Sequence, residues 1–541
     1  MSGQGLGRPT SSKARLEGTW HFSHLAQVLR LLVRRALHAA LTLLGLFSPA
    51  LTGATPTTSP NIIIVLTDDQ GYADLGVQGV HSDVSTPNLD QLAKGGIRFT
   101  SGYAVAPQCV PSRAGLLTGM YPQRLGVHSN STGPLPLDVP TIAEKLQHAG
   151  YRTGFVGKWH LEPNQIQKRW IERHVPRPWT LNKRKRVDIP RELIEPYLPN
   201  RRGFTDFFIG AAQRYLANFD LKGESLEPEG WLKFDTAFRI DTQTAAALAF
   251  IDRAAGQPFF LLLSYNAPHV PLEAPAAYLR EFAKVDSERR RYGLAMISAI
   301  DSGVGKVILK LNELKIDRNT LVVFLSDHGA PLGAGRKELP ISDRRGRWNG
   351  SLNDPWPGEK GTLLEGGIRV PLVMHWPGGL PRGVTYEKPV LSLDVVATAL
   401  ALAELPPDPR SDGTDLVPYL SGQKKGQPHD AIYWKWGQQA AVRLGDTKLI
   451  VLADGSMHLI DPRKGVTVRA GSLPESDSTV RTALAQLENW LCSLQSHGFD
   501  IDGARIDSPL ESDFLAYYLG YHEPKSASEI WSPACPAAES G

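Results

Sequence analysis

The chain has 541 residues, of which 42% are hydrophobic and 21% are charged, a balance that excludes a wholly disordered protein. Its three cysteines are too few for a disulfide-rich scaffold, and no cysteine–histidine cluster has zinc-site spacing. The formal net charge is +4, but residues 1–54 contribute six Lys or Arg and one Asp or Glu, so the remainder carries −1. This near-neutral remainder lacks the basic excess of a nucleic-acid-binding protein, and we expect no nucleic-acid partner.

The N-terminal segment, residues 1–54, has the layout of an export signal. The pair Arg34–Arg35 precedes the apolar run Ala36–Leu51, and small residues follow that run. The run is shorter than the ~20 residues that a membrane-spanning helix needs. We predict a leader, a Pro/Thr-rich linker at residues 55–60 and an exported protein, either periplasmic or secreted. An uncleaved anchor, a downstream start site and a buried helix are the alternatives.

Strands and helices alternate from residue 61 to residue 405, which predicts an α/β catalytic domain. The first strand, Asn61–Leu66, is a continuous apolar run typical of a strand covered on both faces. A helix begins at Thr86 and ends at the glycine pair Gly95–Gly96. The later elements are predicted as strand 97–103, helix 139–149, strand 151–156, helix 236–254, strand 258–265, helix 287–314, strands 320–326 and 370–376, and helix 393–403. We expect a mostly parallel sheet sandwiched by helices.

The pattern changes in residues 406–541, where short runs of alternating hydrophobicity replace the longer elements. Such runs are typical of antiparallel strands joined by tight turns. They predict strands at 432–436, 440–444, 448–452 and 457–460, followed by a helix at 479–496. We therefore expect a smaller C-terminal α+β subdomain and tail.

Polar side chains follow three of the predicted strands. Asp68 and Asp69 follow the first strand, Asp327 and His328 follow another, and His269 follows a third. In open α/β sheets, ligands bind beyond the carboxyl ends of the strands. Adjacent carboxylates repel one another unless a cation lies between them, and oxygen-rich sites favour Ca²⁺ or Mg²⁺. The spacing indicates a divalent-metal site, with solvated turn carboxylates as the alternative.

The strongest motif is CVPSRAGLLTG, residues 109–119. It resembles the sulfatase signature, in which an enzyme oxidises the cysteine to formylglycine. Further segments resemble sulfatase motifs in the family's order: NIIIVLTDDQGYADLG from residue 61, GKWH from 157, APHVP from 267, SDHG from 326 and EKGTLLEGGIRVP from 359. The resemblance implies an alkaline-phosphatase-like fold and a sulfuric ester hydrolase of the arylsulfatase type.

The resemblance also implies a role for each matched residue. The divalent cation would be held by Asp68, Asp69, Asp327, His328 and the modified Cys109. The metal is expected to be Ca²⁺, with Mg²⁺ possible. His328 departs from the family, which more often has Asn at this position, and an imidazole is a less natural Ca²⁺ ligand than an amide oxygen. Arg113 and Lys158 would balance charge beside the formylglycine, and His160 would act as the base that expels sulfate. His269 and Lys360 would contact the sulfate and protonate the leaving alcohol. Partners implied are a formylglycine-generating or sulfatase-maturating enzyme and a sulfate ester substrate.

Two basic segments favour a sulfated carbohydrate as the substrate, because positive loops near a pocket attract anionic polymers. Residues 163–202 hold eleven Lys or Arg and four Asp or Glu, and the second segment contains Arg336, Lys337, Arg344, Arg345 and Arg347. For the basic segments, the alternative is that they are ordinary solvated loops. For the function, the alternatives are a phosphomonoester or phosphonate ester hydrolase on the same scaffold and a sulfated-glycan-binding protein with unmodified Cys109. The remaining cysteines, Cys492 and Cys535, could form a disulfide in an exported protein.

Overall fold

The computed structural model describes residues 59–535 apart from 184, 212, 334–335, 337–338, 343–347, 465, 472–476, 496–508, 520–530 and 534. The predicted leader and residues 55–58 of the predicted linker lie outside the described residues. Residues 59–541 form one compact unit, and Tyr151 donates a hydrogen bond to the carbonyl of Pro60 (3.0 Å). Among the described helices, none combines the length and the apolar character needed to cross a membrane.

A ten-stranded sheet forms the centre of the unit. Its strands run in the spatial order β11-β2-β10-β9-β1-β8-β4-β5-β6-β7. They are β1 (Asn61–Asp68), β2 (Ile97–Phe99), β4 (Arg152–Gly157), β5 (Asp206–Ala211), β6 (Arg214–Phe219), β7 (Ser225–Lys233), β8 (Phe259–Pro268), β9 (Thr320–Ser326), β10 (Leu372–His375) and β11 (Val384–Tyr386). The five central strands, β9 to β5 in this order, are parallel, whereas β10, β6 and β7 join antiparallel.

Two apolar layers cover the sheet, as the continuous hydrophobic run of β1 predicts. Ile62, Ile64 and Leu66 enter one hydrophobic cluster, and Ile63 and Val65 enter the other, because successive side chains of a strand point to opposite faces. Helices pack on both layers. The α-helices are Pro87–Lys94, Cys109–Thr118, Ile142–His148, Lys168–His174, Arg191–Ile194, Arg239–Ala254, Ala276–Glu281, Glu288–Glu313, Glu365–Ile368, Ser392–Leu402, Val417–Leu420, Ser478–Gln495 and Pro509–Leu519. The predicted mostly parallel sheet flanked by helices is confirmed.

The C-terminal region builds a five-stranded antiparallel sheet, covered by the helix Ser478–Gln495. Its strands are β13 (Ile432–Trp436), β14 (Gln439–Leu444), β15 (Thr447–Leu452), β16 (Met457–Asp461) and β17 (Val466–Gly471). Its hydrophobic cluster also contains Tyr103, Val105, Leu363 and Leu364 from the N-terminal part of the unit. The two parts of the chain therefore share one core. The domain boundary at residue 405 stays a prediction.

The predicted strand 97–103 was wrong as a single element. The structure has two short strands there, β2 and β3 (Gly102–Tyr103), because they pair with different partners. β2 lies between β10 and β11, whereas β3 pairs with β12 (Val390–Leu391) in a separate two-stranded sheet. The chain changes sheets at Thr100–Ser101, a step that residue composition does not reveal.

Candidate active site

Two aspartates meet at the carboxyl ends of the central strands. Asp68 ends β1, and Asp327 directly follows β9, whose neighbour in the sheet is β1. The backbone N–H of Asp327 donates to the carbonyl of Thr67 (3.0 Å), and that of Asp69 donates to Oδ1 of Asp327 (3.2 Å). Both Asp68 and Asp327 are buried, so their carboxylates need compensating cations.

Cys109 opens the helix Cys109–Thr118 at this edge of the sheet. Pro111 lies in the first turn, where a missing N–H costs no helical hydrogen bond, and Gly119 ends the helix with a left-handed conformation (φ 74°). The N–H of Val110, in the first turn where the helix itself offers no acceptor, donates to Oδ1 of Asn130 (2.9 Å). The cysteine is 1% exposed, at the helix end where the backbone dipole favours a negative charge.

Cationic and polar groups surround the sulfur of Cys109. Nε2 of His328 lies 3.2 Å from it, Nζ of Lys360 3.5 Å, and Oδ1 of Asp68 3.8 Å, while His160 also contacts it by a hydrogen bond. Burial raises the pKa of the thiol, but Lys158, Lys360 and His328 outweigh it, so the pKa lies well below its usual value. The site therefore stabilises negative charge on the side chain at position 109.

Arg113 lies one helical turn after Cys109 and is 3% exposed. Its Nε and Nη2 donate to Oδ2 of Asp327 (3.1 and 3.0 Å), and its Nη1 donates to the carbonyl of Lys158 (3.0 Å) and to Oγ of Ser264 (2.7 Å). The guanidinium thus joins the helix to the ends of β9, β4 and β8. Burial lowers the pKa of Arg113, but the carboxylates of Asp327 and Asp68 raise it by more than that, so the guanidinium stays charged.

Lys158 and His160 follow the end of β4. Gly157 has a positive φ of 107°, and a Cβ there would lie 1.9 Å from the carbonyl oxygen of Ser264, so only glycine fits. This close approach brings Nζ of Lys158 into an ion pair with Asp68. His160 also has a positive φ (64°), and its buried Nδ1 has no hydrogen-bond partner among the residues that the structure describes.

Lys360 and His269 approach the site from its other side. Nζ of Lys360 donates to Oδ1 of Asp69 (2.6 Å), and the next N–H, of Gly361, donates to the carbonyl of Pro107 (2.9 Å). Nε2 of His269 lies 3.7 Å from Oδ2 of Asp69, and its side chain is 34% exposed. His269 therefore stands at the mouth of the site, whereas Lys360 lies inside it.

The buried charges shift one another's pKa values. Burial raises the pKa of Asp68, but Lys158, with His269 and Arg113, outweighs it and lowers that pKa below its usual value. Burial lowers the pKa of His328, yet Asp327 and Cys109 raise it to about 9. For Asp327, burial dominates and raises the pKa.

The donor set fits a divalent cation. One ligand atom each from Asp68, Cys109, Asp327 and His328 lie within 4.8 Å of one another, and so do ligand atoms of Asp68, Asp69 and His269. Ligands on opposite sides of a calcium ion at 2.3–2.6 Å are about 5 Å apart, so one ion could contact the first set. Apart from the sulfur of Cys109, His328 is the softest donor, and its Nδ1 already lies 2.9 Å from the carbonyl of Gly329. The structure thus brings all the residues predicted for the site together.

Three residues that support the site were not singled out from the sequence. Ser264 bridges Arg113 and the carbonyl of Lys158 (2.8 Å), and Ser112 donates to the carbonyl of Asp327. Asn349 donates to the carbonyls of Asp69 (3.0 Å) and Pro268 (3.3 Å), joining the ends of β1 and β8. Ser264 is the first polar residue after the apolar run Phe259–Leu263 of β8, a signal that could have found it, whereas the sequence around Asn349 carries no comparable pattern.

The comparisons with known proteins agree with this geometry. The family model named Sulfatase matches residues 60–405. The chain is 33% identical to N-acetylgalactosamine-6-sulfatase of Canis lupus familiaris (75% of this chain, 74% of that protein) and 32% identical to arylsulfatase A of Homo sapiens (75% and 77%). Among solved structures, Ps i-CgsB in complex with k-i-k-neocarrahexaose superposes with a TM-score of 0.66 at 27% identity, covering 85% of this chain and 97% of the other.

The fold and the site together define a hydrolase of the alkaline phosphatase superfamily. Within that superfamily the chain belongs to the sulfatase family and is a sulfuric ester hydrolase.

Proposed function

We propose that the enzyme cleaves sulfate esters of carbohydrate with a formylglycine made from Cys109 and a bound divalent cation. The observation that carries the proposal is the environment of Cys109, a buried side chain beside Lys360, His328, His160 and the carboxylate of Asp68. An unreactive structural thiol is normally buried among apolar groups, which raise its pKa, whereas this environment favours an anion.

The chain's residues divide into three tasks. Asp68, Asp69, Asp327 and His328 would hold the cation, expected to be Ca²⁺, with Mg²⁺ as the second candidate. The modified residue would supply a hydrated-aldehyde oxygen nucleophile, and the cation would supply positive charge that polarises the sulfuryl group.

The remaining side chains would bind the sulfate and move protons. Arg113 and Lys158 balance the negative charge that develops beside position 109. His160 accepts a proton during release of sulfate, and His269 with Lys360 donates one to the departing alcohol.

Relatives favour a carbohydrate substrate. One similar protein is named for N-acetylgalactosamine-6-sulfate, and one similar structure contains a neocarrahexaose. A third similar structure, BT4656 with D-glucosamine-2-N,6-O-disulfate, supports the fold at a TM-score of 0.60 and 19% identity, covering 81% of this chain and 99% of the other. A sugar attached to the scissile ester would leave through the mouth, beside the half-exposed His269.

Export is proposed on two grounds. The leader carries an export-signal pattern. Cys492 and Cys535 form a disulfide, which persists in oxidising compartments and is rare in the cytosol. A formylglycine-generating or sulfatase-maturating enzyme is the partner that the proposal requires.

Mass spectrometry and sulfate release test the proposal together. The peptide containing Cys109 should be lighter by about 18 Da after conversion of the thiol to an aldehyde. The converted protein should release sulfate from sulfated sugars, lose that activity on chelation and regain it with Ca²⁺. The Cys109→Ala variant is the matched control. Converted, metal-loaded protein that releases no sulfate from any sugar would refute the carbohydrate assignment.

A phosphonate monoester hydrolase is the second candidate activity. The phosphonate monoester hydrolase of Agrobacterium radiobacter shares the fold, with a TM-score of 0.55 at 21% identity, covering 81% of this chain and 96% of the other. Parallel assays with phenyl phosphonate esters and aryl sulfates at matched leaving groups distinguish the two, and a higher kcat/KM for the phosphonate would favour this candidate.

A further inference from the structure

We infer that residues 163–202, here called the basic insert, bind a second anionic portion of a sulfated polymer, beside the sugar whose ester is cleaved. The inference rests on the proposed carbohydrate substrate and adds a requirement for polymer length. The basic insert connects β4, which carries Lys158 and His160 at its end, to β5.

Most cations of the basic insert are exposed and have no ion pair within the described residues. No carboxylate there lies within ion-pair distance of eight of them, whereas Arg191 pairs with Glu195 and Arg202 with Glu144. The eight are Lys168, Arg169, Arg173, Arg177, Lys183, Lys185, Arg186 and Arg201. Arg169 and Arg173 are four residues apart on one helix, an arrangement of like charges that costs a few tenths of a kcal/mol. Such a surface is stabilised by an external anion.

The basic insert has its own small core, which directs these cations outward. Trp170, Ile171, Val175 and Ile189 are buried together, with further apolar side chains packed against them. The guanidinium carbon of Arg177 lies 4.6 Å from the centre of the Trp179 ring, a cation–π contact within the basic insert.

Two contacts bring the basic insert next to the catalytic residues. Nε1 of Trp159, the residue between Lys158 and His160, donates to the carbonyl of Tyr197 (2.8 Å). Trp170 approaches Gly133, close enough that a Cβ on that glycine would lie 3.9 Å from Cδ1 of the indole. Gly133 follows Asn130, which accepts the hydrogen bond from the start of the Cys109 helix. The basic insert therefore packs against two of the chain segments that support the active site.

Charge complementarity identifies the occupant. Sulfate monoesters stay anionic at physiological pH and recur along a sulfated polysaccharide, so one group can occupy the catalytic centre while its neighbours reach the basic insert. The second basic segment is not used in this inference: Arg336 pairs with Asp354 (2.8 Å), and the other basic residues of that segment lie outside the described residues.

The test compares two double charge reversals. Arg169→Glu with Arg173→Glu changes the basic insert. Lys94→Glu with Lys306→Glu is the matched control, because both lysines are exposed on helices that pack on the opposite face of the sheet. Binding is measured with fluorescent dextran sulfate, with neutral dextran and single-stranded DNA as further probes. Turnover is measured with 4-methylumbelliferyl sulfate and with sulfated oligosaccharides of increasing length.

We expect the basic-insert variant to bind dextran sulfate about tenfold more weakly and to raise KM for long oligosaccharides by a similar factor. Turnover of 4-methylumbelliferyl sulfate should stay within about twofold, which also shows that the variant is folded, and the control variant should match the wild type. Equal affinity of both variants for dextran sulfate, or tighter binding of DNA than of dextran sulfate by the wild type, would overturn the inference. Binding can be measured on Cys109→Ala protein, so absence of any sugar sulfatase activity would instead count against the proposed function.

Discussion

At the residue scale, two histidines contact the site in different surroundings. His160 lies inside, in contact with Cys109, and its buried Nδ1 has no partner in the described structure. His269 lies at the mouth, 34% exposed, with Nε2 facing Asp69. A histidine inside the site is suited to accept a proton from the enzyme's own side chain. A histidine at the mouth is suited to donate a proton to the leaving alcohol.

The first prediction concerns His269. Replacing it with alanine should slow cleavage of sugar sulfates by about 10²–10⁴-fold and affect activated aryl sulfates little, because a good leaving group needs no proton. The measurement is kcat/KM across a series of leaving groups of rising pKa. Equal losses across that series would assign His269 to sulfate binding instead.

The second prediction concerns His160. The His160→Ala variant should still release alcohol rapidly in the first turnover and then slow, because release of sulfate lacks its base. Rapid-quench measurement of alcohol and sulfate should therefore find a burst of alcohol without matching sulfate. His148→Ala, which alters an exposed histidine of another helix, is the control. Simultaneous slow release of both products would contradict this role.

The residues of the site could be predicted where they lie in motifs that occur in the family's order along the chain. Asp68, Cys109, Lys158, His269, Asp327 and Lys360 all meet at one edge of the sheet, because parallel strands end on the same side. Ser264 and Asn349 were not predicted, because each acts through a backbone carbonyl that only the folded chain brings near.

At the element scale, the C-terminal sheet supports the segment that follows Lys360. The N–H of Leu363 donates to Oε1 of Gln439 (2.7 Å), and Nζ of Lys448 donates to the carbonyl of Leu363 (2.6 Å) and to Glu365 (2.8 Å). Burial raises the pKa of Glu365, but Lys448 and Arg369 outweigh it and lower that pKa to about 2. Strands β14 and β15 thus fix the backbone of the segment that follows Lys360.

The third prediction follows from this buried pair. Lys448→Met should lower the free energy of unfolding by about 3–5 kcal/mol, because it leaves Glu365 buried with fewer cations. Urea unfolding measures the loss, and Glu365→Gln with Lys448→Met completes a double-mutant cycle. The double variant should lose less than the sum of the singles, and strict additivity would show that the pair is not coupled.

The fourth prediction concerns His458 on β16. It is 3% exposed, and within the described part of the chain neither ring nitrogen has a hydrogen-bond partner. Burial lowers the pKa of His458, partly opposed by Asp454. The unfolded chain therefore binds the proton first, and stability is lost as pH falls below the unfolded pKa of about 6.5, by at most about 2 kcal/mol at pH 5.

The comparison variant for this prediction is His458→Leu, which cannot titrate. Urea unfolding at pH 7.5 and pH 5 should show a smaller difference between the two pH values than in the wild type. An unchanged difference would mean that other groups account for the acid sensitivity.

The strands that were predictable are those with long continuous apolar runs. The central strands β1, β8 and β9 carry apolar runs covered on both faces, and their predicted bounds agree with the structure to within a few residues. Strand β7 was not predicted, because it is an edge strand of mostly exposed residues that includes Pro228. Strands β5 and β6 were not predicted either, although most of their residues are buried. β10 was predicted as a strand, but its antiparallel direction depends on the connection before it.

At the scale of the whole molecule, one hydrophobic cluster joins the C-terminal sheet to Tyr103, Val105, Leu363 and Leu364. These residues flank the Cys109 helix and the Lys360 segment in the chain. Removing the C-terminal region would expose this cluster, so the catalytic part is not expected to fold by itself.

The fifth prediction concerns the disulfide between Cys492 and Cys535, 43 residues apart. Replacing both cysteines with serine should lower the free energy of unfolding by about 3–4 kcal/mol, because the unfolded chain regains the entropy of that loop. Thermal unfolding with and without reductant measures the effect. The wild type should fall to the level of the variant in reductant, while the variant should not respond; a response of the variant would point to another thiol.

The burial of the Cys109 helix has a consequence for how the enzyme is made. Every residue from Cys109 to Thr118 is buried, so a modifying enzyme cannot enclose this segment once the chain has folded. On the proposed chemistry, oxidation and folding therefore compete for the same stretch of nascent chain. A molecule that folds first keeps its thiol and is permanently inactive, although its structure is intact. The specific activity of a preparation would then depend on the fraction of chains that are oxidised before they fold. Unfolding and refolding the protein could not raise that activity without the modifying enzyme.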